Sequence, residues 1–428
     1  MGGKRIPPEG NEDRAMNQTN SPAALPGRWW VLTFASLALF GNYYVYDSIA
    51  PVADLLTRQL NFSDTQLGSL NAVYSLPNIF LVLVGGLLID RFGAARITTW
   101  TAWVCLAGAL LTAALPNYTT MLVGRFLFGI GAETMIVGVT AGLGQWFRGS
   151  SMALALGLNL SLARAGSYAA DVSPSFARSL YQGWQAPLLL AALIAASAVL
   201  AAHTYLVFDK RRKTQLGQPA SERLIWRDVL HFGTPFWYLL ALCVLFYAAV
   251  LPFRSTFAIK FFQHARSLSL EDASLMNSWV YFAAIFASPA FGFLYDRIGR
   301  RTLFLAIGAF ALPASFLVLG ATTWNLWVAT VGIGIAFSLV PAVLWPSVCQ
   351  LVEEKRLGTA LGLMTMLQNV GLAAANLAAG WLNDRAQAGP DNPEGYLAML
   401  WFFGLVSSLA LIFVLLLHFS SRKPNHPA

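Results

Sequence analysis

One junction occurs twice in this chain. Gly86-Leu-Leu-Ile-Asp90-Arg91-Phe-Gly93 ends one long apolar segment and opens the next, and Gly292-Phe-Leu-Tyr-Asp296-Arg297-Ile-Gly299 repeats its Gly, Asp, Arg and Gly 206 residues later. A short charged loop between two apolar segments is a turn at a membrane surface, and its repetition means that the chain holds two copies of one helical bundle. Gly86 and Gly292 are expected to let a neighbouring helix approach, and Gly93 and Gly299 to form the turn. Asp90 and Asp296 are placed to cap a facing helix or to pair with Arg. With Arg91 and Arg297 they are read as a cytoplasmic gate that holds one conformation shut and is released in another. A second repeat fixes the register. Ala155-Leu-Gly157-Leu returns as Ala360-Leu-Gly362-Leu, and Gly166 as Gly371, which sets Arg164 opposite Asn369.

Only 11% of the 428 residues are charged and 57% are hydrophobic, whereas a soluble protein carries about a quarter charged residues. Apolar runs divide the chain into twelve segments: 30–54, 66–90, 96–115, 119–147, 152–177, 186–208, 235–262, 272–295, 301–320, 325–352, 357–383 and 395–419. Each approaches the roughly 20 residues that cross a bilayer. The predicted fold is therefore all-α, with twelve transmembrane helices in two six-helix bundles related by a pseudo-two-fold axis. The bundles span 28–208 and 235–420. Between them lies a cytoplasmic linker, 209–234, whose Lys210-Arg-Arg-Lys213 run and amphipathic Glu222–Val229 piece suit anionic lipid. Residues 1–27 and 421–428 read as polar tails. Twenty Lys and Arg fall on the side of the termini and five on the other, so both termini are cytoplasmic. The net charge of +8 thus reports topology and not nucleic-acid binding.

Cys105, Cys243 and Cys349 lie in apolar segments without ligand spacing, and the five His form no metal motif. No nucleophile–base set or phosphate loop is present. The chain is read as neither an enzyme nor a holder of metal or cofactor. Its expected partners are a small-molecule substrate, the bilayer and, in one reading, protons.

Charge within hydrocarbon marks function by default, and six residues qualify: Asp47, Arg125, Glu133, Arg164, Asp171 and Arg254. Asp47 and Arg125 fall at similar depth in the outer half, as a structural ion pair or as a proton-coupling group with its partner. Glu133 and Arg164 fall near the midplane. They either neutralise each other or stand apart and bind the two ends of a zwitterion, Arg as a planar fork for carboxylate and Glu for ammonium. Tyr43, Tyr46, Tyr74, Tyr247, Asn277 and Tyr281 are candidates for the same cavity. Asp171 is placed at a water-filled outer mouth, and Arg254, after Pro252, either faces substrate or snorkels to the interface.

The repeated junction and Gly124-Arg-Phe-Leu-Phe-Gly-Ile-Gly131-Ala-Glu133 resemble the signatures of the major facilitator superfamily. Phe40-Gly-Asn-Tyr-Tyr-Val-Tyr-Asp47, Leu162-Ala-Arg164-Ala-Gly-Ser167, Tyr247-Ala-Ala-Val-Leu-Pro252, Asn277-Ser-Trp-Val-Tyr281 and Gln368-Asn-Val-Gly-Leu372 further resemble its lysosomal dipeptide uniporter clade, over about residues 37 to 385. That resemblance implies alternating-access transport of dipeptides by facilitated diffusion, with Glu133 and Arg164 holding the peptide amino and carboxyl ends. Arg254 departs from the clade's pattern. The short tails suggest a bacterial inner (plasma) membrane protein, or a lysosomal one if the source is eukaryotic. The alternatives are a proton-coupled transporter of small organic anions, using Arg164, with or without Arg254, for carboxylate and Asp47 for protons, and a transporter-like receptor.

Overall fold

The computed structural model describes residues 27–147, 151–212, 232–321, 325–353 and 356–420. The expected tails and most of the linker, including the Glu222–Val229 piece, lie outside the described residues. Twelve long helices follow one another: α1 (Arg28–Asp47), α2 (Asp64–Phe92), α3 (Ala94–Ala114), α4 (Tyr118–Trp146), α5 (Met152–Phe176), α6 (Gln185–Arg212), α7 (Thr234–Pro252), α8 (Leu270–Ile298), α9 (Arg301–Ala321), α10 (Leu326–Leu351), α11 (Leu357–Arg385) and α12 (Leu397–Ser420). Nine spans among the described residues meet the length and hydropathy of a bilayer crossing outright. The other three, α1, α2 and α5, carry polar residues used below.

Two segments break where the sequence reading has them continuous. The first stops at Asp47, turns through a 3-10 element at Ala50–Val52 around Pro51, and resumes as Ala53–Leu60. The seventh ends its regular helix at Pro252, which lacks an N–H to donate. It widens into a π turn at Phe253–Phe257 and continues as Ala258–Arg266.

Helix packing repeats with a shift of six. In the first half α1 packs on α5 and α6, α4 on α2 and α3, and α3 on α6. In the second α7 packs on α11 and α12, α10 on α8 and α9, and α9 on α12. The halves meet along two seams, α2 with α11 and α5 with α8, which the same shift exchanges. Local chemistry follows the axis as well. Ser63 and Ser269 cap α2 and α8, with Gln66 completing a capping box on α2. Asn61 and Ser267 both adopt the left-handed conformation just before those caps. Gly93 and Gly299 have φ of 90° and 68°, so the expected turn needs glycine at both positions.

Between helices in lipid, small residues and polar contacts replace the hydrophobic effect as the source of specificity. A Cβ at Gly68 would lie 2.3 Å from the Asn376 carbonyl, and one at Gly380 would lie 2.3 Å from that of Asp64. The α2–α11 seam is thus packed backbone to backbone. Gly86 and Gly292, expected to admit a helix, have no neighbouring atom within 4 Å of such a Cβ. The close approach of α2 to the other half lies at its outer end, at Gly68, and not at its cytoplasmic end, at Gly86.

Candidate transport site and its outer seal

At mid-depth and towards the outer face, hydrogen bonds and ion pairs join the two halves. This seal has a centre. Arg254, at the π turn of α7, donates through Nη1 to Asp47 of α1 at 2.7 Å and through Nη2 to Asp171 of α5. Its guanidinium carbon lies 3.6 Å from the Tyr281 ring centroid. Asn277 of α8 donates to Asp171 at 3.1 Å and to the Arg254 carbonyl at 3.2 Å. Asp47, Asp171 and Arg254 are at most 1% exposed. The expected Asp47–Arg125 ion pair is therefore replaced by Asp47–Arg254, and Asp171 is in the seal, not at an open mouth. Arg125 instead donates to the Val45 and Tyr46 carbonyls at 3.1 and 3.2 Å and to Asn71 Oδ1. It thus caps the end of α1, where carbonyls lack helical partners.

Around this centre the other seam is uncharged. Asn71 of α2 donates to Thr256 Oγ1 at 2.7 Å, and Thr256 donates to Asn376 of α11 at 2.8 Å. Further out, Lys260 pairs with Asp64 and donates to Thr57, while His264 bridges Asp54 at 2.7 Å and Tyr396 at 2.8 Å. Asp384 accepts from the Asp64 and Thr65 amides at 2.7 and 2.8 Å, capping α2 from the opposite half. The first half contributes Asp47, Asp54, Asp64 and Asp171 to these pairs, and the second contributes Arg254, Lys260 and His264. The sequence reading counts Lys260 only as an outer-side charge and passes over Asn71 and Asn376. A signal is there: the repeat offset carries Asn277 onto Asn71, Asp171 onto Asn376 and Asp54 onto Lys260.

Beneath the seal, Tyr43, Tyr46 and Glu133 are half-buried, and Tyr43 lies within electrostatic reach of both Glu133 and Arg164. The Tyr46 and Tyr74 rings are 4.8 Å apart. Gly129, on the face shared by Arg125 and Glu133, is where α2 comes closest to α4, since a Cβ there would lie 2.4 Å from the Tyr74 carbonyl. Arg164 crosses the α5–α8 seam and donates through Nη1 to the Ala284 carbonyl at 2.8 Å and to Ser288. It forms no ion pair with Glu133 among the described residues, and its other nitrogens have no protein hydrogen bond there. Tyr247 accepts from Trp345 at 3.1 Å. Asn277 and Tyr281, expected in the cavity, are instead buried in the seal.

At the cytoplasmic end Asp90, Arg91, Asp296 and Arg297 are exposed, and among the described residues neither acid forms an ion pair. Among the described residues the hydrogen bonds and ion pairs between the halves lie at mid-depth and towards the outer face, the arrangement of a carrier closed on its outer side.

A family model described as Major Facilitator Superfamily matches residues 35–265 and 253–428. The chain belongs to that superfamily. It is 32% identical over 420 residues to the human lysosomal dipeptide transporter MFSD1, covering 94% of this chain and 88% of that protein. The zebrafish (Danio rerio) protein of that name is 33% identical over 94% of this chain and 89% of its own. The probable nitrate/nitrite antiporter NarK1 of Thermus thermophilus is 24% identical over 68% of this chain and 66% of its own. Among solved structures, a point mutant of the nucleoside transporter NupG superposes with a TM-score of 0.75 at 13% identity, over 90% of this chain and 99% of its own. A bacterial homologue of the lysosomal transporter Spinster, inward-facing and occupied, gives 0.73 at 16% identity, over 95% of this chain and 100% of its own. These structural likenesses extend to the fold alone. The protein is an integral membrane secondary transporter of the major facilitator type, and not an enzyme.

Proposed function

We propose that the protein carries dipeptides or closely related zwitterions by alternating access, in a bacterial plasma membrane. The observation that supports this most is the separation of Glu133 from Arg164. Two opposite charges at one depth, in one half, form no ion pair with each other; among the described residues Glu133 has the Tyr74 hydroxyl beside it and no cation, so both charges remain to be met by a ligand. Glu133 takes the ammonium and Arg164 the carboxylate through the nitrogens not committed to α8. Tyr43 and Tyr46 present apolar faces and hydroxyls beside them, with Tyr74 buried behind. The relatives named as lysosomal dipeptide transporters point the same way. A carrier of anions alone, as the nitrate-transporter relatives would suggest, gains nothing from a half-buried Glu133.

Thermal unfolding of the purified protein tests the reading, because a ligand that binds the folded state raises the midpoint by an amount that grows with the logarithm of its concentration over its Kd. Leucyl-alanine should raise it, whereas its N-acetyl and C-amide forms should each raise it less. Equal shifts from all three would remove the zwitterion, and a shift from nitrate alone would favour the anion reading.

In the outward-open state, Asp90 and Asp296 hold the cytoplasmic side closed against the facing helix starts, with Arg91 and Arg297. Replacing either acid with Asn should shift the population towards the conformation described here. Alkylation of a cysteine placed at Gly86, with reagent on the cytosolic side, should quicken in both variants. An unchanged rate removes the gate.

A further inference from the structure

The two copies of the repeated junction differ directly after their turns. Gly93 is followed by Ala94 and Ala95, and Gly299 by Arg300 and Arg301. In the first half, the protein itself fills the space where the cytoplasmic ends of α3, α4 and α6 meet. Tyr205 of α6 lies so close over Gly142 of α4 that a Cβ there would collide with its hydroxyl, and Ala94 Cβ is 3.5 Å from the same point. Trp146 beside them donates through Nε1 to Asp209 at 3.1 Å. In the second half, the matching helices α9, α10 and α12 line a cavity of about 860 Å³ at their cytoplasmic ends.

This cavity is basic at its rim and apolar along its walls. Arg300, Arg301, Gln350 and His418 supply its polar groups. His418 meets Thr302 Oγ1 through Nδ1 at 3.1 Å, which ties α12 to the start of α9. Leu303 and Ala306 of α9 and Val414 and Leu415 of α12 form the walls. Among the described residues no acid lines the cavity, and Asp296 and Glu353, nearest in sequence, lie outside its lining. Neither α9 nor α12 takes part in a seam between the halves, so the cavity lies at the periphery, where these helices meet lipid. Apolar side chains continue from it along both: Leu303, Ile307 and Phe310 on α9, and Ile412, Leu415 and Phe419 on α12, are all exposed.

We propose that this cavity binds an anionic phospholipid of the cytoplasmic leaflet. The headgroup phosphate lies with Arg300 and Arg301, whose planar forks match its oxygens. Gln350, held by Tyr295 at 3.1 Å, has a second amide proton to add. The first methylene groups of the acyl chains cover the walls, and the rest follow the exposed apolar rows into the leaflet. The volume suits a headgroup with the start of its chains, since sites for drug-sized ligands measure about 300–1,000 Å³. Two arginines with no acid favour a lipid of net negative charge over a zwitterionic one, whose ammonium would find no partner there. A soluble phosphate would satisfy the rim and leave the walls bare, whereas a lipid meets both. Basic residues at this face attract anionic lipid in general, and the enclosure is what makes this position a site. The inference is independent of which solute is carried.

The test uses the full-length protein in nanodiscs of phosphatidylcholine with a small fraction of phosphatidylglycerol that carries a diazirine near the glycerol end of one chain. After irradiation, label should concentrate in peptides spanning 301–307 and 412–418, above the matching peptides of α3 and α6. Unlabelled phosphatidylglycerol should compete, and added phosphatidylcholine should not. Each basic side chain at the surface contributes about fivefold to anionic-lipid binding, so Arg300→Gln/Arg301→Gln should lower labelling about twenty- to thirtyfold. Arg96→Gln/Lys210→Gln removes two exposed cations from the same face of the first half and should leave labelling unchanged within about twofold. Ala306→Trp keeps both arginines, fills the cavity and should also abolish the concentrated label. Label spread evenly over α3, α6, α9 and α12, or an equal loss in the two double variants, overturns the site in favour of general surface attraction. Inorganic phosphate that competes as well as phosphatidylglycerol overturns the lipid and assigns the cavity to a soluble phosphate. If Arg300→Gln/Arg301→Gln does not fold, Ala306→Trp and the competitors decide: label that survives Ala306→Trp overturns the proposal.

Discussion

Arg254→Met should release the outer seal more than any other single change. It leaves Asp47 and Asp171 buried with no cation between them, and loss of one partner from a buried ionic set costs about 3–5 kcal/mol. At about 1.4 kcal/mol per tenfold, the closed state loses about two to three and a half orders of magnitude against the open one. Cysteine accessibility from the outer side should rise accordingly, and the unfolding midpoint should fall wherever the open state is the less stable. Loss of packing predicts a drop too, so a rescue separates the causes. In the triple variant Asp47→Asn/Asp171→Asn/Arg254→Met no carboxylate is stranded, Arg125 keeps its carbonyl and Asn71 partners, and closure should return towards its original extent. If the triple variant stays as open as Arg254→Met, the guanidinium stem and its contact with Tyr281 hold the seal, not the charges.

The architecture was legible because its causes are local or repeated. Apolar runs of bilayer length give the helices, the placement of Lys and Arg gives their sense, and the two Gly-Asp-Arg-Gly junctions give the duplication. The seal was only half legible. Asp47, Asp171 and Arg254 stood out as charges in hydrocarbon, but their pairing did not, because depth along a helix says nothing about rotation around it. Arg125 matched Asp47 in depth and was the nearer guess. Arg254 took the place because the π turn after Pro252 carries it to the axis, and a local change of helix type leaves little trace in composition. Neutral members such as Asn71 and Asn376 gave no charge signal and appear only when the repeat register is applied to them. Gly86 and Gly292 show a different limit. A sequence holds the contacts of every state in the cycle, whereas one conformation displays those of a single state.

For Glu133 and Arg164 the sequence supplied the residues and the structure their separation, and selective loss is the expected result. A hydrogen bond to a charged group contributes about 1.5–3 kcal/mol, so removing one should weaken dipeptide binding about ten- to a hundredfold. Glu133→Gln keeps the shape and removes the charge. It should reduce affinity for leucyl-alanine while sparing the N-acetyl form, which has no ammonium to lose. Arg164→Lys keeps the charge and removes the fork. It should reduce affinity for the free acid and spare the amide. Arg164 also bridges to Ala284 and Ser288 of α8, so its replacement loosens the α5–α8 seam whichever ligand is present. That contribution weakens all peptides alike, and the difference between acid and amide isolates the ligand contact. Isothermal titration with the three peptides gives both quantities. Should Glu133→Gln weaken the free and N-acetyl peptides equally, Glu133 supports the cavity wall and not the ammonium, and the zwitterion site has to be sought elsewhere.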